Sequence, residues 1–463
     1  MRDIVVTLVA FAALVWALRS PLNAMLTYWW FAIFRPHDWI YSSLLSDLRV
    51  PLLATLIFFL GAAAKGIHPF GRDAKNIVPA LLLVIILAIG TLLAGCSDSL
   101  VRIYSMTEVT VLFYACFLTA KVVKTKRDFF SLYALLAACI SFHAGKEGLI
   151  ALASGSHKAA YGTMSGLFTG SNAYALGSGM LLFTIIFIAQ NLRKSQKSTS
   201  LPRAFNILRR SSAARKTTLL ACGLLALGVL YNVVSLESRG SFLATMGAIS
   251  VWLTINIGST RALILGTVAG VLISVLYQPP EGYVDRIQSA FAESDELDAS
   301  ATSRLYFWQI ARSMANSNPF GVGAGCYASY YNAYDESGGL HGTFRSVHSS
   351  HFQILAESGY LGLAVWITMF IRSLFQQVRV CRAARNGDQL PVGDSLFYIS
   401  ASSALMGTLL VFIVGGAFYE LAYNDLAWLI VALTGSVSKM YHQDQEPTHQ
   451  GTLRNSKHVS LTS

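Results

Sequence analysis

The chain has 463 residues, of which 54% are hydrophobic, 12% aromatic and only 13% charged. Soluble domains carry about 25% charged residues, so this composition excludes a soluble protein, and six cysteines in the whole length exclude a disulfide scaffold. The formal charge of +11 lies between apolar segments, where it sets membrane orientation and does not point to nucleic acid.

A helix crossing a bilayer needs about 20 mostly apolar residues. In chain order such segments fall at 3–18, 21–34, 50–64, 77–95, 104–121, 129–153, 170–191, 217–235, 241–257, 261–277, 352–373, 395–418 and 422–440. The expected fold is an all-α polytopic membrane protein: a bundle of about 12–13 transmembrane helices with one large, partly helical outer loop. Its organisation divides into N-terminal spans over 1–277, the loop over 278–350, C-terminal spans over 351–440 and a tail over 441–463. Arg19-Ser20-Pro21 interrupts the first apolar run, so the first pair of spans is the ambiguous one. No small-residue cleavage site follows the N-terminal run, which reads as a retained span.

Orientation follows from the 192–216 loop, which carries Arg193, Lys194, Lys197, Arg203, Arg209, Arg210, Arg215 and Lys216 and no acid. Lys and Arg concentrate in short cytoplasmic loops, so this loop is cytoplasmic, and the tail with it. Alternation places 278–350 on the outer face. Its acids, among them Glu281, Asp285, Glu293, Asp295, Glu296 and Asp298, outnumber Arg286, Arg304, Arg312 and Arg345, in agreement. Five cysteines lie in or beside spans and only Cys326 in the outer loop, so no disulfide is expected. No Cys/His spacing suggests zinc.

The outer loop is too long to be a plain connection. Ser303 to Met314 has helical spacing, with Leu305, Trp308 and Ala311 on one side, and Asn318-Pro319-Phe320-Gly321-Val322-Gly323-Ala324-Gly325 reads as a helix stop followed by a glycine-rich turn. With no preceding strand and no following Walker lysine, that turn is not a nucleotide loop. On a helix His348, His351, Leu355, Gly359 and Gly362 share one face; His348 and His351 then stand at the membrane rim, where ionisable groups are functional candidates. Arg239, in a tight outer turn, runs against the positive-inside bias. Arg304 opens the loop helix and is also a possible ion-pair partner of Asp298 or Glu296. A guanidinium offers a planar fork of donors suited to a diphosphate.

These residues resemble the O-antigen ligase and O-antigen polymerase superfamily of bacterial inner-membrane glycosyltransferases. The ligase signature is matched by His348, Ser349, Gly359 and Gly362, supported by Ser238-Arg239-Gly240, Ser303-Arg304 with Trp308, Asn318 to Gly323, Arg35-Pro36-His37 and Gly170-Ser171-Asn172. The resemblance implies transfer of a glycan from an undecaprenyl-diphosphate carrier, on the periplasmic side, inverting and metal-independent, with no cofactor. The acceptor is a lipid A core sugar in the ligase branch and another carrier-linked repeat in the polymerase branch; a related branch, which the 145–182 region resembles, is thought to glycosylate proteins.

The chemistry fits these roles. Arg239 and Arg304 stabilise the leaving diphosphate, and His348 activates the acceptor hydroxyl as general base. His351, Arg345, Arg312 and Arg35 are secondary candidates, and Asp38 is the carboxylate to test if a metal proves necessary. A transporter or lipid-linked-oligosaccharide flippase would have a similar number of spans, but calls for ionisable residues at the midplane; charged residues within spans are few, Glu108, Lys146 and Glu147 among them. A non-catalytic scaffold leaves the arginine–histidine set unexplained.

Overall fold

The structure, a computed structural model, describes residues 2–41, 43–70, 77–94, 99–155, 170–193, 202, 205–261, 299–387 and 390–445. Among these residues the long elements are helices: α1 Arg2–Ala17, α2 Pro21–Ile33, α3 Val50–Ala63, α4 Val78–Ala94, α5 Ser99–Val122, α6 Lys126–Ser154, α7 Ser171–Arg193, α8 Ser212–Ser235, α9 Arg239–Ile257, α10 Ala299–Ser317, α11 Tyr327–Tyr334, α12 Ser350–Asn386, α13 Val392–Gly415 and α14 Asp425–Gln445. Seven of them (α5 to α9, α12 and α13) are long and apolar enough to cross a membrane, and α3 and α4 are shorter apolar helices. The chain is therefore an all-α, multi-pass membrane protein. The ambiguous first pair resolves into two short helices, with Ser20 capping α2 through Asn23 N–H and Pro21 at its first turn. The expected span at 261–277 lies outside the described residues.

The most enclosed helices, α7 and α13, pack against each other at the centre. Close approach explains several glycines there: a side chain at Gly407 would strike Phe183, and one at Gly415 would strike Leu176. Small residues drive helix association in lipid because apolar burial alone gives no preference over the acyl chains. Buried polar bonds supply the rest, including Asn191 Nδ2 to Ser400 Oγ at 2.8 Å and Thr408 Oγ1 to the Met180 carbonyl at 2.9 Å. In α6 a π-turn over Ser141–Gly145 interrupts the α-helical ladder. At its end and just beyond it the chain lies on α8: a Cβ at Gly148 would strike the Gly228 backbone, and one at Gly228 the Gly145 carbonyl.

The loop helix α10 forms as expected, but its buried face is Phe307, Ile310, Ala311 and Met314; Leu305 is exposed. Together with Val322, Tyr327 and Tyr331 these residues make a small core, seated on Ala356 and Phe352 of α12 and Ala94 of α4. The aromatic content of the loop is what allows so short a segment to build one.

One expectation about cysteine is corrected. Cys326 is disulfide-bonded, whereas Cys116, Cys139, Cys222 and Cys381 are free thiols; of the six, Cys96 lies outside the described residues. The turn carrying Cys326 docks on the end of α4: Ala324 N–H donates to Thr91 Oγ1 at 3.2 Å, and the Tyr330 hydroxyl donates to the Ala94 carbonyl. A contact spanning more than 200 residues of sequence leaves no local pattern, which is why the pairing was not expected.

Candidate active site

The site is built around a broken helix. Residues 350–386 are continuous in register but not in geometry, because Gly359 adopts φ 67° and ψ −174°. The break frees carbonyls that an unbroken helix would use, and the glycine-rich turn takes them: Val322 N–H donates to Ala356 O at 2.9 Å and Gly323 N–H to Glu357 O at 3.0 Å. The fit leaves no room for a Cβ on either side. One at Gly359 would overlap the Pro319 carbonyl, and one at Gly321 the backbone of Glu357 and Ser358. Gly321, Gly323 and Gly325 all have positive φ, which glycine adopts without steric cost.

His348 does not lie on that helix, which corrects the single-face expectation. The helix starts at Ser350, with Ser349 Oγ accepting from Phe352 N–H, and His348 precedes the cap in the left-handed region at φ 50°. Such a conformation is costly for a side chain with a Cβ and persists where the surroundings hold it. The consequence is that His348 and His351 point into different environments. His351 sits edge-on to Trp366, ring centroids 5.2 Å apart. His348 faces the loop core, with Phe307 at 6.0 Å.

Charge around His348 is supplied by the loop. Burial lowers its pKa first, and the nearby Arg304 and Arg345 guanidinium groups lower it further. Arg345 also stands over the Phe307 ring at 5.7 Å. Two of the expected arginines are therefore close enough to act on this imidazole and favour its neutral form. Arg312 is exposed on α10. Arg35 forms an ion pair with Asp38 at 2.6 Å, and His37 lies 3.5 Å from the same carboxylate, so Asp38 is engaged within its own loop. Among the described residues no group of three or more His, Cys, Asp or Glu side chains is placed to hold a metal. Asp298 and Glu296, the expected partners of Arg304, lie outside the described residues.

Arg239 opens α9, where Ser238 caps the first turn. A cation at a helix N-terminus is disfavoured by the dipole, so its position calls for an anionic partner. The turn is tied to the segment 416–424 between α13 and α14, since Ser238 Oγ and the Tyr419 hydroxyl hydrogen-bond, and a Cβ at Gly240 would crowd the Phe418 ring. The His348 side is tied to the same segment. Ser350 N–H donates to Gly416 O at 2.7 Å, Ser350 Oγ donates to Tyr419 O at 2.7 Å, and Leu421 N–H donates back to Ser350 Oγ at 3.0 Å. Tyr419 is thus held by its hydroxyl from the Arg239 turn and by its carbonyl from the His348 turn.

Sequence reasoning missed this segment, because spans drawn at 395–418 and 422–440 leave it almost no length. The helices end at Gly415 and resume at Asp425. It contributes Glu420, whose carboxylate accepts from Ser346 and from the Val347 N–H while burial pushes its pKa up. Ser346 Oγ in turn lies 3.5 Å from His348 Nε2. A lone acid between two apolar runs was the available signal. Deeper on the same side, the Tyr423 hydroxyl donates to Glu357 Oε2 at 2.7 Å.

Residues 223–367 match the family model described as O-Antigen ligase, and residues 1–196 match one described as Family of unknown function (DUF5935). No curated protein matches the chain. The first match runs from α8 into α12 and contains Arg239, Arg304, Arg345 and His348. Over these residues the chain is similar to the O-antigen ligase family, which supports a function of the O-antigen ligase/polymerase type.

Proposed function

We propose that this chain, similar over 223–367 to the O-antigen ligase family, is a glycosyltransferase of the bacterial inner membrane. It moves a glycan from an undecaprenyl-diphosphate carrier to an acceptor hydroxyl on the periplasmic face, a lipid A core sugar being the favoured acceptor. The observation that carries the reading is His348 set beside Arg304 and Arg345, on a turn joined through Tyr419 to the Arg239 turn. The disulfide at Cys326 supports the outer placement, since such bonds persist in oxidising compartments.

In this mechanism His348 accepts the proton of the acceptor hydroxyl as its oxygen attacks the anomeric carbon. The glycosyl–phosphate bond breaks on the opposite face, so the configuration inverts and the carrier diphosphate leaves with the electron pair. The leaving group needs charge stabilisation more than protonation, which Arg239 and Arg304 provide in a site of restricted water; no metal is invoked. Arg239→Ala and Arg304→Ala should each reduce transfer strongly, because hydrogen bonds to charged groups contribute about 1.5–3 kcal/mol each. Lysine should restore only part of it, replacing a fork with a point charge. Full transfer by both alanine variants at normal expression would refute the clamp.

The acceptor is tested by reconstitution. Purified protein is given a carrier-linked glycan with either lipid A core or further carrier-linked repeat. One transfer onto core supports the ligase reading; a ladder formed without core replaces it with a polymerase, and transfer to a protein acceptor alone replaces it with a protein ligase.

A further inference from the structure

One guanidinium at the site has no part in the transfer step. Arg239 and Arg304 are assigned to the leaving diphosphate, whereas Arg345 lies three residues before His348 on the same segment. Arg345 is exposed, yet its guanidinium is parked on a ring. That ring, Phe307, is buried in the loop core and gathers polar groups around it. The Arg345 guanidinium is 5.7 Å from its centroid and the His348 ring 6.0 Å, with Tyr331 and His341 edge-on at 5.8 and 5.9 Å.

The carboxylates of the same region are engaged elsewhere. Asp335 accepts from the Tyr306 hydroxyl at 2.7 Å, from Ser337 Oγ at 2.6 Å and from the Gly339 N–H at 2.9 Å. Glu420 accepts from Ser346 and from the Val347 N–H. Among the described residues neither forms an ion pair with Arg345. The Tyr331 hydroxyl, though buried, has no hydrogen-bond partner either. A cation–π contact at an exposed site is weaker than a hydrogen bond between charged groups. The Phe307 ring therefore places the Arg345 fork without using up its capacity for an anion.

We propose that Arg345 selects the acceptor by binding an anionic group, a phosphate or a carboxylate, carried on the sugar whose hydroxyl His348 activates. This rests on the transferase reading and adds to it. The donor arginines come from α9 and α10, whereas Arg345 shares a segment with the base, so an anion held there keeps its sugar beside the imidazole. Binding is measured without donor. The full chain, purified in detergent, is titrated with glucose 6-phosphate, glucuronate and glucose, and contact is followed by saturation-transfer NMR. At least one anionic sugar should bind about tenfold or more tighter than glucose, and the tighter of the two names the group. Arg345→Gln should remove that preference and Arg345→Lys should restore part of it. Arg382→Gln, an exposed position far along α12, should behave as the parent. Equal binding of all three sugars, or of none, overturns the site, and so does a preference kept in Arg345→Gln. Undecaprenyl diphosphate should bind Arg345→Gln as it binds the parent; a loss there moves Arg345 to the donor and overturns the acceptor assignment. Failure of glycan transfer in reconstitution overturns the transferase reading alone, because these affinities are read without it.

Discussion

An imidazole whose pKa lies below its ordinary 6.5 stays neutral, and so remains a base, to lower pH than a free histidine. For His348 the causes are burial, then Arg304, then Arg345. The acid limb of kcat/KM, which reports the free enzyme, should therefore fall below pH 6.5. Removing a neighbouring positive charge raises the pKa, so Arg345→Gln should move the limb upward; an unmoved limb would detach the base from this histidine. His348→Ala and His348→Gln should lose turnover while still binding the lipid-linked donor, and near-normal turnover in His348→Ala with loss in His351→Ala would transfer the role. Glu420 is a positioning residue in this arrangement, acting through Ser346 and Val347. Glu420→Ala should lower kcat with KM little changed and Gln should rescue it, because an amide oxygen still accepts both bonds. In the sequence His348 stood out by its spacing to Gly359 and Gly362, and Arg239 and Arg304 by their places in an outer turn and at the start of the loop helix. Glu420 and Tyr419 did not, because they act through contacts made across about 70 to 180 residues of chain.

At the scale of elements, the sequence reads as one helix running from His348 into the 352–373 span, and the structure starts it at Ser350 and breaks it at Gly359. Glycine is common in membrane helices, so Gly359 and Gly362 suggest close packing with equal force whether the helix is whole or broken. What decides it is the docking of the 318–323 turn onto the freed carbonyls, a tertiary event. Gly359→Ala tests this directly. An alanine held at positive φ with extended ψ costs about 1–3 kcal/mol, and overlap with the Pro319 carbonyl adds about 1–3 kcal/mol more. The variant should unfold at lower temperature and lose transfer together; an unbroken, regular helix would tolerate the change. Ser350→Ala removes one donor and one acceptor shared with the 416–424 segment. It should cost about 1–3 kcal/mol in unfolding measurements, with the pH limb of the remaining activity displaced.

For the molecule as a whole, composition was enough to give an all-α, multi-pass membrane protein, because lipid permits so few spanning structures. Reporters fused within 195–212 or after residue 445 should report cytoplasm, and one inserted near Glu296 periplasm; a periplasmic signal from the 192–216 loop would reverse every assignment of side. Contacts between distant segments, and the disulfide bonding of Cys326, were beyond that reading. The shared grip on Tyr419 has a further result. Whatever displaces the Arg239 turn pulls on its hydroxyl, and the strain reaches the backbone that Ser350 holds next to His348. Occupancy by one substrate should then change affinity for the other, and by linkage the factor must be the same in both directions. Tyr419→Phe cuts that tether while keeping the ring, and should make the two dissociation constants independent.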